Sequence, residues 1–282
     1  MLFSEQFTTI IILTTLIGSY LIDSIADFLN LGSLKKSLPK EFNDHYKPEK
    51  YADAQNYLKA NTKLGFITSS FDITVILLFW FSQGFQYVDS FVRSFNLDPI
   101  ISGLFFTGIL LSAKMIFSLP FSMYSTFVIE EKFGFNKTTP MIFFSDLIKS
   151  IVLSVVLGGI LLSLVLGFLE FGGRFAWVMC WASSTVFLLA VQYIVPTWIL
   201  PLFNTFSPLE EGSLKNAIVT YAKSINFSLS NIFVMDGSKR SSKSNAFFTG
   251  FGKTKRIILF DTLIKDQTVE ELVSVLAHEM GH

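Results

Sequence analysis

Cysteine is almost absent. Cys180 is the single one in 282 residues, which excludes an intramolecular disulfide framework and a cysteine-built structural zinc cluster. Within its apolar run the thiol reads as packing. Charge is also short: 16% of residues are Asp, Glu, Lys or Arg, against about 25% in a soluble domain. The formal net charge is zero, so nothing favours nucleic acid or an anionic surface as the main partner. Histidine occurs only three times. The N-terminus has no basic segment before its first apolar run and no small-residue cleavage site after it. Phe7–Ile22, extendable to Leu29, is therefore expected to be a retained span and not a cleaved signal.

What is abundant is apolar. Hydrophobic residues make up 51% of the chain, 32 of them Phe, and the mean hydropathy is +0.52. That balance describes a membrane protein. A bilayer core needs about 20 helical residues to cross, and five segments qualify, at 7–29, 65–87, 100–121, 148–169 and 175–199. The expected fold class is mainly α, a multi-pass transmembrane bundle or barrel over residues 1–200. Asp72 and Lys114 fall inside apolar segments, where charge is costly in lipid. They either face a bundle interior or cavity, or sit paired or snorkelling near an interface. Pro120 and Pro196 lie near span ends, where a kink or a stop is tolerable.

Five spans put residues 30–64, 122–147 and everything after about 200 on one side. That side carries Lys35, Lys36, Lys40, Lys47, Lys50, Lys59, Lys63, Lys132 and Lys137, whereas the other side's loops offer Arg93 and Arg174. The positive-inside rule then places the C-terminal region in the cytoplasm.

From Pro201 the character changes to a small α+β unit, 201–282. Ser213–Asn226 has helical spacing of Leu214, Ile218 and Tyr221 or Ala222. Ile232–Met235 reads as a strand ended by the Asp236-Gly237 turn. Asn245–Thr249 and Arg256–Phe260 are further extended pieces. Thr268, with Glu271 three residues on, forms a capping box that starts the last helix.

That helix ends in His278-Glu279-Met280-Gly281-His282, the pattern H-E-x-x-H. Residues four apart share a helix face, so both imidazoles can reach one Zn2+ ion. Neutral imidazole nitrogen suits zinc. Glu279, one position along, lies beside the metal and not on it, where it can take a proton from a water that the metal acidifies and pass it to a leaving amine. The alternative is two surface histidines on a helix end. His45, in a polar Lys-rich loop, reads as solvated. Catalytic zinc takes three protein ligands; Asp261 and Asp266 flank the loop before the helix and are poor candidates for the third.

The runs Asp236–Ser242, Ser244–Gly250 and Lys255–Leu263, followed by the H-E-x-x-H helix, resemble the CAAX prenyl protease 1 family of M48 zinc metallopeptidases. Phe127–Thr139 and Pro196–Asn204 are similar to that family as well. The resemblance implies a helical membrane barrel around an internal chamber, with the zinc helix facing it. It also implies two further spans and a glutamate zinc ligand beyond His282. Peptides are the implied substrates, including prenylated proteins that lose the last three residues of a CAAX terminus. Bacterial relatives serve membrane-protein quality control. Carried over by position, His278 and His282 are zinc ligands and Glu279 is the catalytic base. Asn245 and Ala246 match the extended segment that pairs with substrate as an added strand, a recognition of backbone more than side chains. The bland reading of Asn245 is a turn residue. Lys239 and Arg240 read as solvated loop charges, with an anionic substrate terminus as the alternative partner. Two departures stand out: Lys243 occupies a position where many members have histidine, and the link Leu263–Thr268 is short. The short link points to a bacterial-type or minimal member, in an inner membrane, or in the endoplasmic reticulum if the source is eukaryotic. Ending at His282, the chain is expected to hold zinc incompletely. A catalytically incomplete fragment, or a non-enzymatic bundle of transporter or scaffold type, is the competing reading.

Overall fold

The computed structural model describes residues 5–34, 38, 42, 47–227, 229, 231–249 and 255–281. The chain forms two compact units, Met1–Phe133 and Gly134–His282. Among the described residues, five helical stretches are long and apolar enough to cross a membrane: Gln6–Ser33, Pro48–Phe81, Pro99–Glu130, Pro140–Phe171 and Gly173–Phe203.

The first unit contains α1 (Glu5–Ser33), α2 (Pro48–Phe81), α3 (Gly84–Arg93) and α4 (Pro99–Tyr124). Proline at the first helical position starts both α2 and α4, where the missing N–H costs nothing. Asp98 caps α4 by accepting from Ile100 N at 2.9 Å. The second apolar run, read from sequence through residue 87, contains a break. Gln83 takes a left-handed conformation with φ 61°, α2 ends at Phe81, and the chain turns into the short α3. Hydropathy averaged over the run does not register that turn, since only Ser82-Gln83-Gly84 interrupts it between Phe81 and Phe85. Asp72 and Lys114 pair at 2.5 Å between α2 and α4, beside a mostly apolar cavity of about 570 Å3. Tyr20 and Ser70 share a hydroxyl hydrogen bond of 2.8 Å between α1 and α2. The helix of the third span does not stop at Pro120: it continues through a π-turn, Ser125–Glu130, where Tyr57 donates to Glu130.

The second unit begins with two paired spans. α5 (Pro140–Leu153) runs through a π-turn into α6 (Gly159–Phe171), and α7 (Ala176–Ile194) runs through another into α8 (Leu200–Phe203). The second of these π-turns, Val195–Ile199, contains Pro196, and such bulges absorb a proline that would otherwise break the helix. A four-stranded sheet follows, built from β1 (Phe206–Pro208), β2 (Asn231–Met235), β3 (Ala246–Thr249) and β4 (Arg256–Phe260) in the order β1-β2-β4-β3. β2 and β4 are parallel, with Ile232 opposite Ile257; the outer pairs are antiparallel. Strand β1 was not evident from sequence. It has three residues and ends on Pro208, tolerable because β1 is an edge.

Three helices pack against this sheet: α9 (Ser213–Ser224), α10 (Asp261–Asp266) and α11 (Val269–Gly281). Their core contains Ile218, Ile232, Ile257, Leu259, Leu272 and Leu276. Ile257, Ile258 and Leu259 are all buried, as a strand covered on both faces requires. Gly237, at the turn after β2, is forced: a Cβ there would lie 2.4 Å from the Phe260 ring.

The expected capping box is formed. Thr268 N donates to Glu271 Oε2 at 2.8 Å, and Glu271 N donates back to Thr268 Oγ1 at 3.4 Å. These Thr268 hydrogen bonds hold the Glu271 carboxyl below its ordinary value near 4.5. A depressed carboxylate stabilises the folded state above the unfolded value, and that contribution fades as pH falls through the folded value. Thr268→Ala removes the hydroxyl and keeps the backbone N–H, so it should lower the thermal midpoint at neutral pH, and part of its gap to the parent protein should close as pH falls through the carboxyl range. Thermal melts of both proteins across the acid range would check this.

Candidate metal centre

Helix α11 is anchored by leucines one turn apart. Leu272 and Leu276 are each 1% exposed, and α11 packs against both α9 and β3. That buried stripe fixes the rotation of the helix. His278 falls on its exposed flank, while Glu279, next in sequence and nearer the stripe, is half-buried. The helix remains regular through Gly281. His282 and His45 lie outside the described residues, as do Lys35, Lys36 and Lys40 of the basic loop.

Strand β3 stands beside this helix at the edge of the sheet. Phe260 N donates to Asn245 O at 3.0 Å, and Phe247 lies opposite Ile258 in the antiparallel register. The alternation of such a ladder turns the peptide groups of Phe247 toward β4 and those of Ala246 and Phe248 toward the open edge. Among the described residues no strand pairs with that edge. Ala246 is 4% exposed, its side chain in the core. Asn245 is exposed, and its Oδ1 accepts from Ala246 N at 2.8 Å. This contact with the next backbone N–H is the one expected of a turn residue at a strand start.

The carboxylates near the helix have other duties. Asp261 Oδ1 accepts from Ser238 N and Thr262 N, both at 2.9 Å, and its Oδ2 accepts from Ser238 Oγ. Asp266 lies 3.5 Å from Ser244 Oγ. Among the described residues no three His, Cys, Asp or Glu side chains gather. The donor chemistry present still fits zinc: an accessible imidazole on a rigidly seated helix, with the position one turn on also histidine.

Arg240 corrects the sequence reading. It is not a solvated loop charge. Its Nε and Nη2 donate to Asp146 Oδ2 and Oδ1 at 2.7 and 2.9 Å, and Nη2 also donates to Phe203 O at 2.6 Å. The Arg240 and Asp146 side chains are only 22% and 23% exposed. The apolar run read from sequence begins at 148, two positions after Asp146, so nothing in the sequence tied the two residues together. Lys243 Nζ lies 4.8 Å from the centre of the Phe135 ring.

Comparison with known proteins agrees with this geometry. Residues 28–205 match the family described as CAAX prenyl protease N-terminal, five membrane helices, and residues 208–282 match peptidase family M48. The chain belongs to the CAAX prenyl protease family. The probable CAAX prenyl protease 1 of Schizosaccharomyces pombe is 40% identical over 88% of this chain and 55% of its own length. The CAAX prenyl protease 1 of Saccharomyces cerevisiae is 40% identical over 87% of this chain and 56% of its own. The crystal structure of S. mikatae Ste24p superposes with a TM-score of 0.88 at 36% identity, covering 95% of this chain and 64% of that one. The chain spans about half the length of the curated relatives it matches. Membership of a CAAX prenyl protease family with five membrane helices makes this an integral membrane protein, and membership of a metallopeptidase family implies a metal.

The leucine anchor is open to test. Leu276→Ala, two positions before His278, should cost about 2–5 kcal/mol and lower the thermal midpoint, whereas Val275→Ala on the half-buried flank should cost less.

Proposed function

We propose that this chain carries the membrane bundle and the zinc-binding half of an integral membrane zinc metalloendopeptidase. The observation that supports this best is H-E-x-x-H on a helix locked by Leu272 and Leu276 beside an open-edged strand. Residues 1–200 form the membrane region, and 201–282 the start of the catalytic domain. His278 and His282 would hold the zinc. When bound, the ion would supply Lewis acidity toward water and the peptide carbonyl.

The chain's own groups then have defined tasks. The outward carbonyl of Ala246, whose N–H is taken by Asn245 Oδ1, and the outward N–H and carbonyl of Phe248 pair with an extended substrate, which aligns it through backbone hydrogen bonds. Asn245 holds the start of that strand in place. Glu279, half-buried, takes a proton from the attacking water and delivers it to the leaving amine. Beyond peptides in general, the names of the relatives favour prenylated CAAX proteins as substrates. The lysine excess in the loops that five spans assign to one side favours a cytoplasmic catalytic side.

The test uses the protein at its natural full length in proteoliposomes. The parent protein should retain zinc and cleave a prenylated CAAX peptide. Glu279→Gln should keep the zinc and lose roughly 10²–10⁴-fold in rate. Chelator should abolish cleavage, and added zinc should restore it. A Glu279→Gln protein cutting at the parent rate would remove Glu279 from the chemistry, whereas a parent protein that cuts no peptide would sink the peptidase reading and revive a transporter-like bundle.

A further inference from the structure

By composition, the connection from β2 to β3 should be a solvated loop, since serine and lysine dominate residues 238–244. It is instead fastened along its length. At its start Asp236 Oδ1 accepts from Thr205 N at 2.8 Å. In its middle Ser241 bridges Asn136 in antiparallel fashion, flanked by Lys137 N to Arg240 O and Ser242 N to Phe135 O, both 3.0 Å. At its end Lys243 O accepts from Thr262 Oγ1 at 3.1 Å. The next residues are Asn245 and Ala246.

Arg240 reaches from this connection to the membrane helices. Its planar fork meets both oxygens of Asp146, in the second turn of α5, and the carbonyl of Phe203, the last residue of α8. Lysine, a single point charge, cannot make those three bonds together. Lys149 reinforces the same corner, donating to Leu202 O at 2.8 Å. Stability is a poor explanation for the pair. Partly buried ion pairs return little beyond their desolvation cost, and Arg240 Nη1 is buried without a partner among the described residues. What the pair does supply is registry between two span ends and the strand that begins at Ala246.

We infer that Arg240 and Asp146 are the positioning pair that sets edge strand β3, and the peptide aligned on it, at a fixed distance from the membrane helix ends. The scissile bond is then selected by its distance from the membrane-anchored part of the substrate. This rests on the peptidase reading above. Neither residue touches the substrate; both act through β3.

The experiment uses the natural full-length protein in proteoliposomes and a ladder of lipid-anchored peptides whose spacer between anchor and cleavable sequence grows one residue at a time. Products are mapped by mass spectrometry. The parent protein should show a sharp spacer optimum. Arg240→Lys and Asp146→Asn should broaden the optimum and lower kcat about tenfold to a hundredfold, with KM little changed. The swap of Asp146→Arg with Arg240→Asp should recover part of the sharpness. Hydrogen exchange should quicken at the Ala246–Thr249 amides while β4 stays protected. An unchanged optimum and rate in both single variants overturns the positioning role and leaves the peptidase reading intact. Loss of protection throughout the sheet also overturns it, because the pair would then be merely structural. A parent protein that cuts no peptide overturns the peptidase reading, and this inference with it.

Discussion

Burial of β4 on both faces and both edges is the constraint from which the candidate site takes its shape. Ile257 and Leu259 have no exposed surface, β2 runs parallel on one side and β3 antiparallel on the other. A strand so enclosed resists slipping, because a one-residue shift would break the register of two ladders and the packing of both faces together. Everything relevant to chemistry is indexed to it. Leu272 and Leu276 fix the rotation of α11 from the same core, and the ladder between β3 and β4 decides which peptide groups face outward. The exposed imidazole and the open edge are thus two results of one packing arrangement.

The fastened connection before β3 adds a second reference frame. The core alone would locate β3 within the sheet and leave its approach path loose. The Arg240 fork, the Asn136–Ser241 bridge and the Asp261 acceptor close that freedom from three directions. Asp261 is better understood in this role than as a metal ligand, because its oxygens accept three hydrogen bonds from residues 238 and 262.

Local features were legible in the sequence. The capping box at Thr268 and Glu271, the strands near 232–235 and 256–260, and the five long apolar runs all follow from spacing and composition. What escaped was non-local or sterically silent. Arg240 and Asp146 lie 94 positions apart, so a charged loop residue and an acid in a span gave no hint of each other. The break at Gln83 is marked only by Ser82-Gln83-Gly84, too few residues to interrupt the apolar run. The π-turn at Ser125–Glu130 has no composition of its own. Strand β1 is too short to show alternation. For the site, the sequence carried the motif and its helix, whereas the open edge beside it is a property of strand order alone.

The ion pair between Asp72 and Lys114 has a consequence for biogenesis. Asp72 is synthesised roughly forty residues before its partner, and translation at about 5–20 residues per second makes that a delay of several seconds. During that interval α2 carries a lone carboxylate, which on translocon scales costs about 2.5–3.5 kcal/mol at the middle of a span. Releasing α2 into lipid by itself is therefore disfavoured until α4 can supply the ammonium. Helices α2 to α4 should leave the insertion machinery as a group, with the short α3 and its turn at Gln83 keeping the two charges within reach of each other.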